Sequence, residues 1–168
     1  MGFVIEPLGK HHNRTAFTCG QPDLDDWFRR RAGQDGRRNI ARVFVAVEDT
    51  LGVIGFYSLS AFTLSLTGLP EEIARKLPRY DVIPAALIGR LARDERVRGQ
   101  GIGELLLADA VRRILSASKT LAVFAIVAEA KDARAAAFYE GFGFRPFPLH
   151  PERLFLLTSS AAAAVERM

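Results

Sequence analysis

Six consecutive residues, Arg98-Gly99-Gln100-Gly101-Ile102-Gly103, set a cation beside three glycines. They fall where a strand-like segment at 85–92 gives way to the strongest helical pattern in the chain, 102–118. A glycine-rich turn that opens a helix presents backbone N–H groups outward, and the helix N-terminus adds partial positive charge, so a pyrophosphate fits there without a metal ligand. Glycine lets the backbone approach the anion where a Cβ would interfere, and Arg98 adds a formal charge. The pattern excludes two better-known anion loops. It lacks the Gly-Lys-Ser/Thr ending of a nucleoside-triphosphate loop, and 99–103 falls short of the dinucleotide fingerprint and lies past mid-chain. Taken alone, it also describes a tight strand-to-helix turn with no ligand.

Other reactive side chains are few. Cys19 is the only cysteine, so no internal disulfide forms; without Cys/His pairs at ligand spacing, no metal is expected. Its thiol reads as a buried or loop group rather than a nucleophile. His11 and His12 show no obvious partner. Charge is more informative. The formal net charge is only +4, but Arg29, Arg30, Arg31, Arg37, Arg38 and Arg42 share their segment with a single acid, Asp35. Likewise Arg75, Lys76, Arg79, Arg90, Arg93, Arg96 and Arg98 outnumber Asp81, Asp94 and Glu95. An arginine-rich composition by itself would scatter such charge; clustering suits a polyanionic partner.

The elements that must position these residues follow from hydropathy. With 168 residues and 49% hydrophobic side chains, the chain can close a core without metal or disulfide. Residues 1–158 read as a single domain and 159–168 as a frayed or weakly helical tail. No apolar run of about 18 residues occurs, and the N-terminus lacks the pattern of a secretory signal, so a cytoplasmic protein with no membrane association is expected. Residues 3–8 form a first strand. Pro22 opens a helix with acids in its first turn, arginines in its last, and Leu24, Trp27, Phe28 and Arg31 on one face. Residues 43–47 and 52–66 make a hairpin, 69–75 a short helix and 85–92 a strand.

In 102–118, Ile102, Leu105, Leu106, Ala110 and Ile114 share an apolar side, leaving Glu104, Asp109, Arg112 and Arg113 for another. The run 121–128 is apolar throughout, as in a strand buried on both faces at the centre of a sheet. Asp132 N-caps an alanine-rich helix at 133–140, Gly141 and Gly143 end it, and strands follow at 144–147 and 153–157. The order of elements is that of an α/β (α+β) chain.

A second motif sharpens the first. Leu91-Ala92-Arg93-Asp94 followed by Arg98–Gly103 resembles the Arg/Gln-x-x-Gly-x-Gly/Ala cofactor loop of the GNAT acetyltransferase superfamily. One helix and one strand later, Ala136-Ala137-Phe138-Tyr139-Glu140-Gly141-Phe142-Gly143-Phe144 resembles its Phe-Tyr…Gly-Phe segment. Further matches, Phe17-Thr18-Cys19-Gly20, Leu24-Asp25, Phe28, Gly55-Phe56-Tyr57-Ser58-Leu59-Ser60, Leu77-Pro78-Arg79-Tyr80, Ile83-Pro84 and Gly89-Arg90-Leu91-Ala92, are similar to the GNAT toxins of bacterial type II toxin–antitoxin systems. The likeness covers nearly the whole chain. Arg93 departs from a pattern that usually has a small aliphatic residue there.

The resemblance implies a GNAT fold: a mixed six- to seven-stranded sheet splayed between strands 4 and 5, here 85–92 and 121–128, flanked by about four helices. It implies that Leu91, Ala92, Arg93, Arg98, Gly99, Gln100, Gly101, Ile102 and Gly103 hold acetyl-CoA, with an N–H of 91–93 polarising the thioester carbonyl. It also implies that Tyr139 is the catalytic residue that protonates the leaving thiolate. A thiol pKa of about 8.5 against a phenol of about 10 makes full transfer uphill by roughly 2 kcal/mol unless the site lowers the phenol; hydrogen bonding in the transition state suffices.

For the toxin group the implied acceptor is aminoacyl-tRNA. The implied partners are a ribbon-helix-helix antitoxin, operator DNA bound only through it, and a second copy of the chain in a homodimer. Arg29, Arg30, Arg37, Arg38, Arg42, Arg75, Lys76, Arg79 and Arg90 would then contact tRNA phosphates, with steep salt dependence. Arg93, Arg96 and Arg98 would serve the cofactor's phosphates. An α-amine of pKa about 7.7–8.0 needs no dedicated base near neutral pH, whereas a lysine near 10.4 does; Glu129 and Asp132 read as solvent-facing or capping groups. Two other functions stay open: acetylation of a small amine or protein N-terminus, and a non-catalytic, cofactor-bound co-repressor module.

Overall fold

The computed structural model describes residues 2–77 and 80–167. Along the chain run β1 (Phe3–Pro7), α1 (Pro22–Arg30), α2 (Ala32–Arg37), β2 (Arg42–Glu48), β3 (Gly52–Ser65), α3 (Glu71–Ala74) and β4 (Val82–Arg93). They are followed by α4 (Ile102–Ala117), β5 (Ala125–Glu129), α5 (Ala133–Phe142), β6 (Arg145–Phe147), β7 (His150–Leu157) and α6 (Thr158–Glu166). The strands form one seven-stranded mixed sheet in the order β1-β2-β3-β4-β5-β7-β6. The pairs β1/β2, β2/β3, β5/β7 and β6/β7 are antiparallel, and β4/β5 is parallel. That parallel register runs from Ala85–Ala125 to Ile88–Ala128 and stops there, while β4 continues to Arg93. Among the described residues no helix is long and apolar enough to cross a membrane.

The chain folds as two compact units, Met1–Ser60 with Gly89–Ala110, and Ala61–Ile88 with Val111–Met168. In the first, alternate residues of β2 and β3 point Val43, Val45, Val53 and Phe56 at Trp27 and Phe28 of α1 and at Phe17. Phe28 stacks on Phe56 at 4.1 Å, and Phe17 meets both rings edge-on. Gly55 is required by closeness: a Cβ there would lie 2.8 Å from Leu106 Cδ1 and 3.2 Å from Ala92 O, so α4 seats directly on β3. In the second unit, Leu64, Ile73, Ile83, Val127, Phe147 and Phe155 are part of a separate core. Ala125 to Ala128 are fully buried, as their unbroken apolar pattern predicts.

Four differences from the sequence reading have physical causes. β5 starts at Ala125 rather than 121, because the N–H of Leu121 turns back to Ala117 O at 3.0 Å and leaves its side chain 74% exposed. A second helix, α2, follows α1 after Arg31 alone; two glycines conceal it in the sequence. The tail is a packed helix, α6, with Ala161 and Ala164 buried against its unit. Asp109, assigned to the polar side of α4, instead accepts a hydrogen bond from the buried Tyr57 hydroxyl.

Candidate active site

The glycine loop is an exposed bridge between two buried anchors. Val97 ends a 3-10 turn over Glu95–Val97 and Ile102 starts α4; they are 0% and 2% exposed, while 98–101 are exposed. Gly99 and Gly101 hold φ of 78° and 75°, the left-handed region where a side chain would be strained. The N–H of Leu105 donates to Gly101 O at 3.2 Å, the bond that opens α4. The N–H groups of Ile102, Gly103 and Glu104 therefore precede the helical ladder and are available at its positive end. Arg98 is 67% exposed, with one nitrogen 3.9 Å from Glu95. This geometry suits a bound phosphate group.

Upstream, β4 brings Leu91, Ala92 and Arg93 to the same unit as the loop. The N–H of Asp94 is fixed to Ile54 O at 2.8 Å, which sets the turn that leaves the strand. The buried Asp94 carboxylate accepts from Thr18 N–H, from Arg96 N–H and from the Arg96 guanidinium. Arg96 also donates to Leu51 O and Val53 O. Its assignment to cofactor phosphates is thereby replaced by a structural one, with the guanidinium holding the strand-to-loop turn.

Tyr139 lies in the last turn of α5, in the other unit. Asp132 caps this helix, accepting from Ala135 N–H at 2.8 Å, and Gly143 at φ 120° ends it. The Tyr139 ring is 5% exposed and packs against Phe138 and Phe144 at 5.2 and 5.5 Å. No protein group among the described residues hydrogen-bonds its hydroxyl. Burial holds the phenol well above its ordinary pKa. The environment shifts it away from the lowering that full proton transfer would need, so its chemistry is that of a protonated hydrogen-bond donor.

The basic residues divide by how firmly they are held. Arg29 donates to Phe17 O, and Arg42 to Gly36 O at 2.7 Å and to Asn39. Arg90 lies 3.9 Å over the Trp27 ring, whose Nε1 donates to Asp35 at 3.0 Å. Burial, with Arg31 nearby, lowers the Arg90 pKa despite the opposing charge of Asp35. Arg30 pairs with Asp26 at 3.1 Å and remains 78% exposed. Arg37 and Arg38 are exposed, as are Arg75 and Lys76 of the other unit. Arg79 lies outside the described residues. Sequence reasoning assigned Arg90 to tRNA phosphates and missed the stack, because Trp27 and Arg90 lie far apart along the chain.

Both N-terminal histidines have neighbours the sequence did not show. His11 and His12 approach Glu6 Oε2 with Nε2 at 3.7 and 3.5 Å, and the three possible ligand atoms lie within 4.8 Å of one another. The tautomer argues against a metal. Gly9 N–H donates to His12 Nδ1 at 2.9 Å, so the proton of neutral His12 sits on Nε2, the atom that would ligate. A metal-bound imidazole needs the reverse arrangement, its other nitrogen donating. Asp25, read as a helix-end charge, is also spent internally on Thr18 Oγ1 and Cys19 N–H, both at 2.9 Å.

A mixed sheet with one parallel pair, β4/β5, and a glycine loop feeding α4 after β4, define an acetyltransferase of the GNAT fold. The acetyltransferase (GNAT) domain family matches residues 39–146, and the chain belongs to it: it is an N-acetyltransferase with acetyl-CoA as donor. A probable toxin, TacT, of Sinorhizobium fredii is 36% identical over 162 residues, covering 91% of this chain and 90% of its own. A tRNA-acetylating toxin of Mycobacterium tuberculosis is 36% identical over 151 residues, covering 90% and 89%. Among solved structures, AtaT complexed with acetyl-methionyl-tRNAfMet has a TM-score of 0.89 at 28% identity, covering 96% of this chain and 98% of that one. AtaTR bound with acetyl-CoA has a TM-score of 0.83 at 29% identity, covering 96% of each.

Proposed function

We propose that this protein is a toxin that acetylates the α-amino group of aminoacyl-tRNA and so blocks translation, and that a cognate antitoxin neutralises it. The observation that carries this reading is the 36% identity to a tRNA-acetylating toxin over 90% of the chain. The clustered arginines support it, since an acceptor presented on RNA brings many phosphates with it. In this reading residues 1–158 act as one acetyltransferase domain. The antitoxin is of the ribbon-helix-helix type, operator DNA is reached only through it, and the toxin is a homodimer working in the cytoplasm.

The chain's own groups divide the chemistry. Arg98 and the N–H groups of Gly99, Gly101, Ile102 and Gly103 hold the donor's pyrophosphate, while the N–H of Gln100 closes the turn onto Val97 O at 3.3 Å. Leu91, Ala92 and Arg93 present the strand edge along which the donor lies, and a backbone N–H there stabilises negative charge developing on the carbonyl oxygen. The acceptor amine, partly neutral near pH 7, attacks the carbonyl carbon without a dedicated base. The C–S bond breaks as the C–N bond forms, Tyr139 donates a hydrogen bond to the departing sulfur, and the proton that the nitrogen sheds passes through solvent to the thiolate, so that free thiol leaves. The raised pKa of Tyr139 keeps its own proton in place at every physiological pH.

Acetyl transfer that disappears when charged tRNA is digested with ribonuclease is the expected behaviour. Transfer that survives digestion unchanged overturns the RNA acceptor and favours a small amine or protein N-terminus.

A further inference from the structure

Beside β1 and α2 lies a cavity of about 390 Å³ whose charged lining is Lys10, Arg14, Arg37 and Arg42; no carboxylate lines it. Pro7 and Leu8 stand among its apolar walls. Two of the cations converge. A Cβ on Gly33 would lie 3.2 Å from Arg37 Nη1 and 3.5 Å from Arg14 Nη2, so glycine leaves the space between guanidiniums open. Arg14 is held in place: Nη1 donates to Phe28 O at 2.7 Å and the guanidinium lies 5.8 Å from the Phe28 ring centre. Burial first, and Arg37 second, push its pKa below the ordinary value. Arg42 is fixed by Gly36 O and Asn39. The side chains of Lys10 and Arg37 make no hydrogen bond or ion pair among the described residues.

Arg14 and Arg37 repel each other across the cavity, and an anion that bridges them, with Lys10 and Arg42 beside it, relieves that repulsion. The size and the walls indicate which anion. A cavity of about 390 Å³ exceeds what a lone phosphate or carboxylate fills and lies in the range that takes small organic ligands. Guanidinium groups match phosphate oxygens in pairs, and an apolar wall beside them suits a ribose.

We propose that this pocket takes one nucleotide of the RNA acceptor, its phosphate on Arg14, Arg37, Arg42 and Lys10 and its ribose against Pro7 and Leu8. The proposal rests on the tRNA reading above and adds a defined socket to it. Arg14 and Lys10, which carry no charge-cluster signal in the sequence, become contacts equal to Arg37 and Arg42.

The test is equilibrium binding of uncharged total tRNA between about 50 and 200 mM salt. It compares the wild type, the double variant Lys10→Ala/Arg37→Ala, and the control Lys119→Ala/Lys131→Ala, which removes the same charge elsewhere. The pocket variant removes two side chains that support no internal bond, and its melting curve checks that the fold is intact. Expected is about tenfold weaker binding at the lowest salt and a log K–log salt slope shallower by roughly one per lost cation, with the control at the wild-type value. Arg37→Lys keeps the charge and loses only part of the effect. Equal binding by pocket and control variants overturns the proposal. So does a pocket variant that keeps tRNA but loses the antitoxin, which assigns the cavity to an acidic protein segment. Acetylation of charged tRNA by the wild type is measured separately: absent product with pocket-dependent RNA binding sinks the acceptor reading and leaves the pocket standing.

Discussion

Arg96 closes a two-point pair on Asp94, Nε to Oδ1 and Nη2 to Oδ2 both at 2.9 Å, around a carboxylate with no exposed surface. The pair locks the turn by which β4 hands the chain to the glycine loop, so the loop's position depends on an arginine bound up in that turn.

The pair carries a pH signature. Burial pushes the Asp94 carboxyl up, but the Arg96 side chain, its N–H and that of Thr18 outweigh burial and hold it below the ordinary value. The unfolded chain therefore takes the proton first; the pair's stabilisation is complete above about pH 4 and lost as pH falls through the folded value. Arg96→Ala should cost about 2 kcal/mol at pH 7, since the arginine is partly solvated and Asp94 keeps two N–H donors. For a chain of this size that lowers Tm by about 4–8 °C. Melts at pH 7 and near pH 3 check it: the deficit should shrink in acid, and an equal deficit at both contradicts the assignment.

Gly99, Gly101 and Gly103 should separate by substitution to alanine. At Gly99 and Gly101 the positive φ makes alanine strained, by about 1–2 kcal/mol. Both variants should raise the Kd for acetyl-CoA at least tenfold. Gly103 lies inside α4, where alanine gains up to about 1 kcal/mol in helix stability. A Gly103→Ala protein that melts higher yet binds acetyl-CoA more weakly would isolate the loss to the backbone's approach to phosphate. Calorimetric titration and melting of the same samples supply both readings.

Tyr139→Phe should lower kcat for charged tRNA by about 10²–10³ while leaving the acetyl-CoA Kd unchanged. Because burial raises the phenol's pKa, the wild-type kcat–pH curve should show no downward limb from tyrosine ionisation up to about pH 10. A fully active phenylalanine variant would remove Tyr139 from the mechanism.

Gly55→Ala places a methyl 2.8 Å from Leu106 Cδ1 and 3.2 Å from Ala92 O. The backbone carbonyl cannot move without shifting β4, so a loss of about 1–3 kcal/mol is expected, read as a fall in Tm. An unchanged Tm would mean that α4 does not seat on β3 as described.

The parts most legible in the sequence were those set by local chemistry. Asp132 as a cap, Gly101 before α4 and the apolar residues of β5 each follow from a short-range rule, and the structure shows each. What stayed hidden depends on partners far along the chain. Nothing near Asp94 in sequence predicts its bond to Thr18 N–H, and nothing near Asp109 predicts Tyr57. Arg14 and Lys10 gain meaning only because the fold brings α2 and β2 to the same cavity. The glycines of α2 conceal a helix formed by packing rather than propensity: Ala32 on it is fully buried.

The central claim is acetyl transfer to the amine of a charged tRNA. The most direct measurement incubates the purified protein with acetyl-CoA and total aminoacylated tRNA, then reads the aminoacyl-adenosine released by nuclease by mass spectrometry. The account predicts N-acetylated aminoacyl-adenosine for at least one amino acid, formed far more slowly by Tyr139→Phe. No acetylated species from any charged tRNA, with the protein folded and binding acetyl-CoA, would contradict it.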